Sequence, residues 1–538
     1  MTIPLVVDGR RVEVPDDGAS LLETLRDRLG VRSPKDGCSP QGQCGCCTVL
    51  VDGQPRVACV TPVRRIAGRT VVTLDGFEPA ERARWAAAFT RHGASQCGFC
   101  TPGIIVRLAA LARRSPHPLG AADVEAALVA HLCRCTGWRT IVDAAVDAAA
   151  PAAKADAAEP AGAARVSGID RPSTAGRDLD AASRRATIEG GAEQRVDPEV
   201  VLGRGGFADD LAPADALVAV PDGSGGWAVG ETLTAARAAA GKVQGRRTTT
   251  ELRWPLELPP GQWDVTLRTT WVEPAYLEPD ASWCVPGGEP ATPLANGGAF
   301  GAKVDSPVAA AARQLARIHD RPVRVLLARE DVVRMGPKRP PVAAGIRGDG
   351  TGVVRTVRTP GIAEAIRAVA PGLVVEEVDV AGPPTSARIR AAGWAEAAAL
   401  VAAVRGEASV TAPTGAWASA AIGADGTVAV RVAAGEVLDE TVLRSFCIGA
   451  VHQAVGWVTS EGVSVDGDGV PHDLTIRSFG ILRARDTPEV RVEVLEPGPP
   501  GPVEAVNGSD AVFAAVAAAA WIARGLPPAW PTDHRRHV

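Results

Sequence analysis

The sequence lacks long apolar runs and any excess of positive charge. Its longest apolar stretch, residues 511–523, is rich in alanine and is shorter than the roughly 18 residues that a membrane-spanning helix needs. The first residues contain no basic region followed by an apolar core, so they do not indicate a secretory signal. A formal net charge of -5 provides no basic surface for nucleic acid or for an anionic membrane. We therefore predict a soluble protein of the cytoplasm.

The cysteines are not scattered as they are in a secreted protein stabilised by disulfides. Nine of the 11 cysteines fall between Cys38 and Cys135, where they form tight groups. Such grouping is typical of metal binding rather than of disulfide pairing. The chain of 538 residues is also too long for a single hydrophobic core, and a usual size of roughly 150 residues per domain predicts several domains.

The first part of the chain has the pattern of a small sheet with one helix. Ile3–Val7 and Arg11–Val14 flank an Asp-Gly pair, which predicts a β-hairpin. Ser20 is placed to cap a helix over Leu21–Leu29, and Glu23 would complete a capping box. Strand-like segments follow a loop rich in glycine and cysteine, at 48–51, 56–60 and 70–74. Together these segments predict a β-grasp domain.

Beyond residue 78 the hydrophobic period becomes helical, and later it alternates between strands and helices. Helices are predicted over 81–90, from Thr101 onward, over 121–132 and over 137–149. The expected fold class is a multidomain α+β protein. Its predicted parts are a β-grasp ferredoxin-like domain over 1–77, a four-helix domain over 78–150, a linker over 151–195 and a compact α+β module over 196–538.

The first group of thiols consists of Cys38, Cys44, Cys47 and Cys59. Four thiolates hold a [2Fe-2S] cluster, and glycines in such a loop let backbone amides approach the sulfur atoms. The gap after Cys38 holds one residue more than the plant-type spacing, and Cys46 adds a fifth thiol that we interpret as a bystander. A structural zinc site is the alternative, since zinc also takes four thiolates.

The second group consists of Cys97, Cys100, Cys133 and Cys135, which are expected where two helix ends meet. On spacing alone, zinc is again an alternative to a [2Fe-2S] cluster. Three histidines lie near these cysteines, and we interpret them as packing or surface residues because eight thiols already suffice for two clusters: His92, His117 and His131.

Two segments around the second group resemble a known family. Gln96–Gly103 and Cys133–Trp138 are similar to the iron-sulfur part of the molybdenum hydroxylases, the xanthine dehydrogenase and carbon monoxide dehydrogenase family. The resemblance spans about residues 1–150 and implies two [2Fe-2S] clusters. It implies further that the β-grasp cluster faces a flavin, that Gln96 hydrogen-bonds a pterin and that Cys135 lies closest to that pterin.

The rest of the chain resembles, more weakly, the molybdopterin-binding subunit of the same family. The similar segments occur in family order, at 203–210, 272–279, 297–303, 390–393 and 449–461. The resemblance implies a glycine-rich pterin loop, an active-site arginine and a cofactor-lining glutamine, at Gly298, Phe300, Gly301, Arg390 and Gln453. A glycine turn that merely packs against its surroundings is the alternative for the loop.

The departure from the family lies at residues 506–510. The family places a glycine-flanked glutamate there as the base that deprotonates a metal-bound hydroxide, whereas this chain has Asp510. An aspartate is one methylene shorter, so it would need a shifted backbone or an intervening water. Ser509 and Asp510 could equally cap the following helix. The module is also shorter than the family subunits.

We therefore expect an oxidoreductase of the xanthine dehydrogenase family that passes electrons from a molybdopterin site, through two [2Fe-2S] clusters, to a flavoprotein partner. The implied cofactors are the two clusters and a molybdopterin with molybdenum, of which the cytosine dinucleotide is one form, with FAD only on the partner. The substrate is a small molecule. The alternative is a non-catalytic electron-transfer and scaffold subunit that works beside a separate molybdenum subunit. A zinc-binding regulatory protein is a third hypothesis.

Overall fold

The protein was analysed as a computed structural model that describes residues 1–150, 176–241 and 250–533. Most of the predicted linker, residues 151–175, lies outside the described residues. The domain boundaries predicted from the sequence therefore stay predictions. Within the described residues, no helix combines the length and the apolar character that are needed to cross a membrane.

The N-terminal region begins with a five-stranded sheet. Its strands are β1 Thr2–Val7, β2 Arg10–Pro15, β3 Thr48–Val51, β4 Gln54–Val57 and β5 Thr70–Val72. The strand order is β2-β1-β5-β3-β4, with β1 and β5 parallel and the other pairs antiparallel. Alternate residues of β1 point inward, so Ile3, Leu5 and Val7 are buried.

The predicted first helix is short and ends in a tightly bound turn. Helix α1 spans Leu21–Glu23 and continues as a π-helical turn over Thr24–Arg28. The Ser20 hydroxyl accepts a hydrogen bond from the Glu23 amide, so the predicted cap is present. The predicted capping box is wrong, because the Glu23 carboxylate instead accepts hydrogen bonds from the amide and hydroxyl of Thr234 in the C-terminal module.

Four helices follow the sheet: α2 Pro79–Arg91, α3 Thr101–Ala112, α4 Ala121–Ala127 and α5 Arg139–Ala149. They enclose buried aromatic side chains, among them Trp85, Phe89 and Trp138. Helix α4 ends five residues earlier than predicted, because the chain leaves the helix to place the segment before Cys133 against the first cysteine loop. The Leu132 amide donates to the Cys44 carbonyl there, at 3.0 Å.

The described residues of the C-terminal module form three four-stranded sheets. Its strands are β6 Leu217–Pro221, β7 Trp227–Gly230, β8 Val265–Arg268, β9 Ala281–Cys284, β10 Val323–Leu326, β11 Val342–Ile346, β12 Gly352–Val357, β13 Leu373–Val378, β14 Ser409–Thr411, β15 Trp417–Ile422, β16 Val428–Ala433 and β17 Val490–Val494. The sheet orders are β7-β6-β10-β9, β13-β12-β11-β8 and β14-β15-β16-β17.

Helix α6 Leu179–Gly190 lies in the segment predicted as a linker. The described helices of the module are α7 Pro198–Val201, α8 Ala208–Leu211, α9 Leu233–Ala239, α10 Val308–His319, α11 Arg329–Met335, α12 Ile362–Val369, α13 Trp394–Arg405, α14 Glu440–Thr459 and α15 Ser509–Ile522. Helices α14 and α15 are buried along nearly their whole length and pack on one another, with Trp457 stacked on Phe513 at 5.2 Å between ring centres. The described chain is a multidomain α+β protein, as predicted.

Buried charges join the N-terminal region to the C-terminal module. Arg134 forms a two-bond pair with Glu461, at 2.6 and 2.7 Å, and both side chains are nearly inaccessible. Arg26 donates to Asp209 and Asp210, at 2.6 and 2.8 Å. Buried ion pairs fix relative position because separating them would leave a charge without a partner in a region of low polarity.

Candidate metal centres and the adjoining loops

The fold brings the first four predicted cysteines together. Cys38 lies within hydrogen-bonding reach of Cys44 and Cys59, and Cys59 lies within reach of Cys47. All four are buried, with exposures of 1, 1, 1 and 5% for Cys38, Cys44, Cys47 and Cys59. Contacts with Cys44 and Cys59 lower the pKa of the Cys38 thiol well below its usual range. The Cys38 thiol thus favours the thiolate form that binds metal, whereas contacts with neighbouring thiols raise the pKa of Cys44 and Cys59.

Backbone amides point at the sulfur atoms of this set. The amides of Gln41 and Gln43 lie 3.3 and 3.4 Å from the Cys38 sulfur, and the Cys59 amide lies 3.5 Å from the Cys47 sulfur. Amide donors of this kind stabilise a reduced cluster and raise its potential. The sequence analysis assigned the loop glycines to such a role but could not identify the donating residues, because backbone direction is not encoded in side-chain type.

The second set forms where α3 begins and where the segment between α4 and α5 passes it. The sulfur atoms of Cys97 and Cys135 are 3.6 Å apart, and Cys100 lies within hydrogen-bonding reach of Cys133. The Thr136 hydroxyl lies 3.1 Å from the Cys133 sulfur. Cys100 and Cys133 are buried, whereas Cys97 and Cys135 are half-buried. This half-buried pair faces the C-terminal module.

Both sets fit the donor requirement of a [2Fe-2S] cluster. Such a cluster has two iron atoms, each bound by two protein ligands, and each set here consists of two close thiol pairs. Within the described ranges, no three His, Cys, Asp or Glu side chains are arranged around one point as a single metal ion would require.

The remaining groups near the cysteines have other partners. Cys46 is fully buried against Cys44, and its assignment as a bystander stays a prediction. His131 lies 3.2 Å from the Thr48 hydroxyl, and burial lowers its pKa to about 3. His92 lies 3.1 Å from Asp147, and His117 is exposed. These positions agree with the interpretation of the histidines as packing or surface residues.

The half-buried thiol pair contacts α14 and the glycine-rich loop at 297–301. Gln96 donates to the hydroxyl of Ser445 on α14 at 3.0 Å, and Asn296 donates to the Cys97 carbonyl at 2.9 Å. Helix α14 approaches the Cys135 carbonyl so closely that a side chain at Gly449 would lie 1.8 Å from its oxygen. Sequence analysis did not identify Ser445 or Asn296, because neither belongs to a motif.

Three of the residues predicted to line a cofactor meet at the start of α15. Arg390 donates to Asp510 at 2.9 Å, to Gln453 at 3.2 Å and to the Ser509 hydroxyl at 3.0 Å. Gln453 in turn donates to the Arg134 carbonyl at 3.0 Å. Burial raises the pKa of the Asp510 carboxyl, and the neighbouring Arg390 opposes this change. The polar atoms of this cluster are therefore paired with one another.

The glycine-rich loop packs against its own chain. A side chain at Gly301 would lie 1.9 Å from the Arg388 carbonyl oxygen, and one at Gly298 would lie 2.8 Å from the Gly190 carbonyl oxygen. Phe300 has a positive φ of 56° and lies 5.0 Å from the Arg390 guanidinium. The close approaches at Gly298 and Gly301 explain those two glycines by packing, which is the alternative that the sequence left open.

Comparisons with known proteins identify the class and the family. A family model described as a [2Fe-2S] binding domain matches residues 73–146. The small FeS subunit of nicotinate dehydrogenase from Eubacterium barkeri is 37% identical over 140 residues, which are 26% of this chain and 88% of that subunit. The nicotine 6-hydroxylase small subunit of Paenarthrobacter nicotinovorans is 38% identical over 147 residues, with 27% and 88% covered. The chain is thus an iron-sulfur protein, and it belongs to the molybdenum hydroxylase family of oxidoreductases.

The chain is similar to larger proteins in sequence over part of its length and in fold over nearly all of it. Aldehyde oxidoreductase of Megalodesulfovibrio gigas is 42% identical over 139 residues, but this match covers only 25% of the chain and 15% of that enzyme. The solved aldehyde oxidoreductase from Desulfovibrio desulfuricans shares the fold with a TM-score of 0.66 and 16% identity, over 96% of this chain and 97% of that one. At this identity the structural match shows the fold alone.

Proposed function

We propose that this chain is an electron-transfer subunit of a molybdenum hydroxylase complex in the cytoplasm. The eight cysteines would hold two [2Fe-2S] clusters, which supply one-electron redox chemistry when bound. The β-grasp and four-helix parts predicted from the sequence would be the two domains that hold them. The relatives that match over most of their length are named as small subunits, which supports the same role.

One observation carries this proposal. The Leu132 amide, next to Cys133, donates to the carbonyl of Cys44 at 3.0 Å, so the ligand segments of the two sets are joined directly. The first turn of α3 reinforces the contact, because Gly103 lies so near the Gly45 carbonyl oxygen that a side chain there would come within 2.3 Å of it. Two clusters held by ligand segments in direct contact would exchange electrons without a diffusing carrier.

The two sets also differ in access, which suggests a direction of transfer. Cys97 and Cys135 are half-buried on the side of the C-terminal module, whereas the four thiols of the first set are buried, and Val60, which follows Cys59 and packs on Gly42 of the same loop, is 46% exposed. We expect electrons to enter at the half-buried pair and to leave beside Val60. A molybdenum subunit would supply them after oxidising a small molecule, and an FAD-binding subunit would accept them.

The test is the metal content of the purified chain together with electron paramagnetic resonance after reduction. We expect about four iron atoms per chain and two distinguishable [2Fe-2S] signals. Cys44→Ala should remove about two iron atoms, and Cys46→Ala, a change two residues away in the same loop, should keep all four. Zinc in place of iron, or an equal loss in both variants, would contradict the proposal.

A second candidate function is catalysis by the chain itself. The observation in its favour is that Arg390 lies within 3.2 Å of both Gln453 and Asp510, although the three residues come from separate sequence segments. Turnover of a small molecule by the isolated chain, abolished by Asp510→Asn, would support this candidate. Iron reduction without turnover would leave the electron-transfer role.

A further inference from the structure

Helix α6 lies between the two loops that the sequence analysis related to a cofactor site. Its end and the turn after it contact the glycine-rich loop: the Arg195 amide donates to Asn296 at 2.9 Å, and the Gly190 carbonyl lies against Gly298. The other side contacts the segment before α15, where Asn507 donates to the Glu189 carbonyl at 2.9 Å. One element of the chain thus occupies the space between both loops.

The Glu189 side chain fills the N-terminal end of α15. Its two carboxylate oxygens accept hydrogen bonds from consecutive backbone amides, from Gly508 at 3.0 Å and from Ser509 at 2.8 Å. Glu189 is 2% exposed and is paired with Arg185, which is fully buried and also donates to the Val506 carbonyl at 2.9 Å. The carboxylate is therefore held by three donors, two backbone amides of α15 and the Arg185 guanidinium.

The Glu189 carboxylate occupies the position at the start of α15 where a helix can bind an anion. The first amides of a helix have no partner within the helix and carry part of the helix dipole, so they attract phosphates and carboxylates. Helix α15 has 14 residues, and its first amides already bind the carboxylate of Glu189. A phosphate of a pterin cofactor brought to this end would meet a buried negative charge instead of free donors.

The polar groups next to the N-terminal end of α15 also have hydrogen-bond partners within the chain. The Arg390 guanidinium is shared among Asp510, Gln453 and Ser509, and the cavity beside it has a volume of about 30 Å³. Such a cavity holds about one or two water molecules. Sites for ligands of drug size usually have about 300 Å³ or more. The residues between the two loops therefore do not fit a molybdopterin.

We infer that α6, through Glu189, fills the cofactor-like position between the glycine-rich loop and α15, and that the C-terminal module is a self-filled scaffold that takes no pterin. The inference deepens the proposed function, on which it rests, because it assigns the molybdenum site to a partner subunit. The module then holds the half-buried thiol pair in place, and the part of the pair that stays accessible is left for the partner subunit.

The first test is elemental and pterin analysis of the full chain, produced in cells that also make an active molybdenum enzyme of the same family as a control for cofactor supply. We expect about four iron atoms, no molybdenum and no fluorescent pterin product after oxidation. Molybdenum near one per chain together with pterin would overturn the inference and leave the iron result intact. Absence of iron would instead overturn the proposed function.

The second test asks whether Glu189 fills an anion position. Glu189→Ala should lower the thermal midpoint, and sodium formate should raise the midpoint of this variant by replacing the lost carboxylate. Glu193→Ala, an exposed change in the turn after α6, is the matched control and should respond like the wild type. If Glu189→Ala does not fold, Glu189→Gln replaces it. A midpoint unchanged by the substitution, or equally raised by formate in all proteins, would contradict the inference.

Discussion

The N-terminal region and the C-terminal module differ in how the residues that resemble the family are surrounded. In the N-terminal region, the thiols of each set lie close to one another, and sulfur atoms of the first set accept amide hydrogen bonds of 3.3 to 3.5 Å. In the C-terminal module, Arg390 and Asp510 are paired with each other, and a carboxylate from α6 covers the neighbouring amides. A group remains available to a cofactor only where the chain has not already supplied its partner.

The largest effect that would sharpen this comparison is selective loss of one cluster. Cys135→Ala removes one of the two close sulfur atoms at the second set, so we expect iron to fall from about four to about two atoms per chain. The resonance signal of the first set should remain. Arg390→Lys, a change in the module, should keep all the iron. Loss of both signals after the cysteine change would mean that the two sets do not assemble independently.

The next effect tests the joint between the two regions. Glu461→Ala leaves the buried Arg134 guanidinium without its carboxylate, and removing one partner of a buried pair costs about 3–5 kcal/mol in the free energy of unfolding. Asp379→Ala breaks an exposed pair with Arg358, whose side chains are 81 and 59% exposed, and should change the free energy of unfolding far less, because water screens exposed charges. Denaturant unfolding measures both. Similar losses in the two variants would show that the Arg134 pair contributes no more than a surface contact.

Local features of the N-terminal region could be predicted because they depend on neighbours in the sequence. The Asp-Gly turn between β1 and β2 and the cap at Ser20 follow from side-chain type. The errors occur where contacts between residues far apart in the sequence determine the local structure. Residues 58–60 were predicted to extend a strand, yet they form a 3-10 turn, in which Cys59 joins the first thiol set.

The role of α6 could not be predicted, because its contacts are separated by long stretches of sequence. Glu189 lies more than three hundred residues from the amides of Gly508 and Ser509, and no motif marks it. Through the resemblance, the sequence did single out Arg390, Gln453 and Asp510 as candidate site residues. It could not show that they are paired with one another, since the same residue types serve a cofactor site or a closed polar cluster.

A smaller effect is expected on the pH dependence of unfolding, where a buried histidine is compared with an exposed one. Burial lowers the pKa of His452 on α14 to about 3, whereas His117 in the N-terminal region is exposed. Below about pH 6.5 the unfolded chain is protonated at His452, whereas the folded chain stays neutral there down to about pH 3. Lowering the pH through this range therefore reduces the free energy of unfolding. This group contributes up to about 1.4 kcal/mol per pH unit. His452→Gln should flatten the pH dependence of unfolding, and His117→Gln should not. An unchanged slope in His452→Gln would place the acid sensitivity in other groups.

The smallest expected effect compares one helix cap in each region. Ser20 accepts from the Glu23 amide and Thr232 accepts from the Ala235 amide, both at 3.1 Å. Replacing such a cap by alanine usually costs about 1 kcal/mol. Helix α1 leads directly into the first cysteine loop, so Ser20→Ala should also broaden the resonance signal of the first set, whereas Thr232→Ala should change only the free energy of unfolding. Equal spectra in the two variants would show that the cysteine loop is held by its own amide and sulfur contacts, independently of the helix before it.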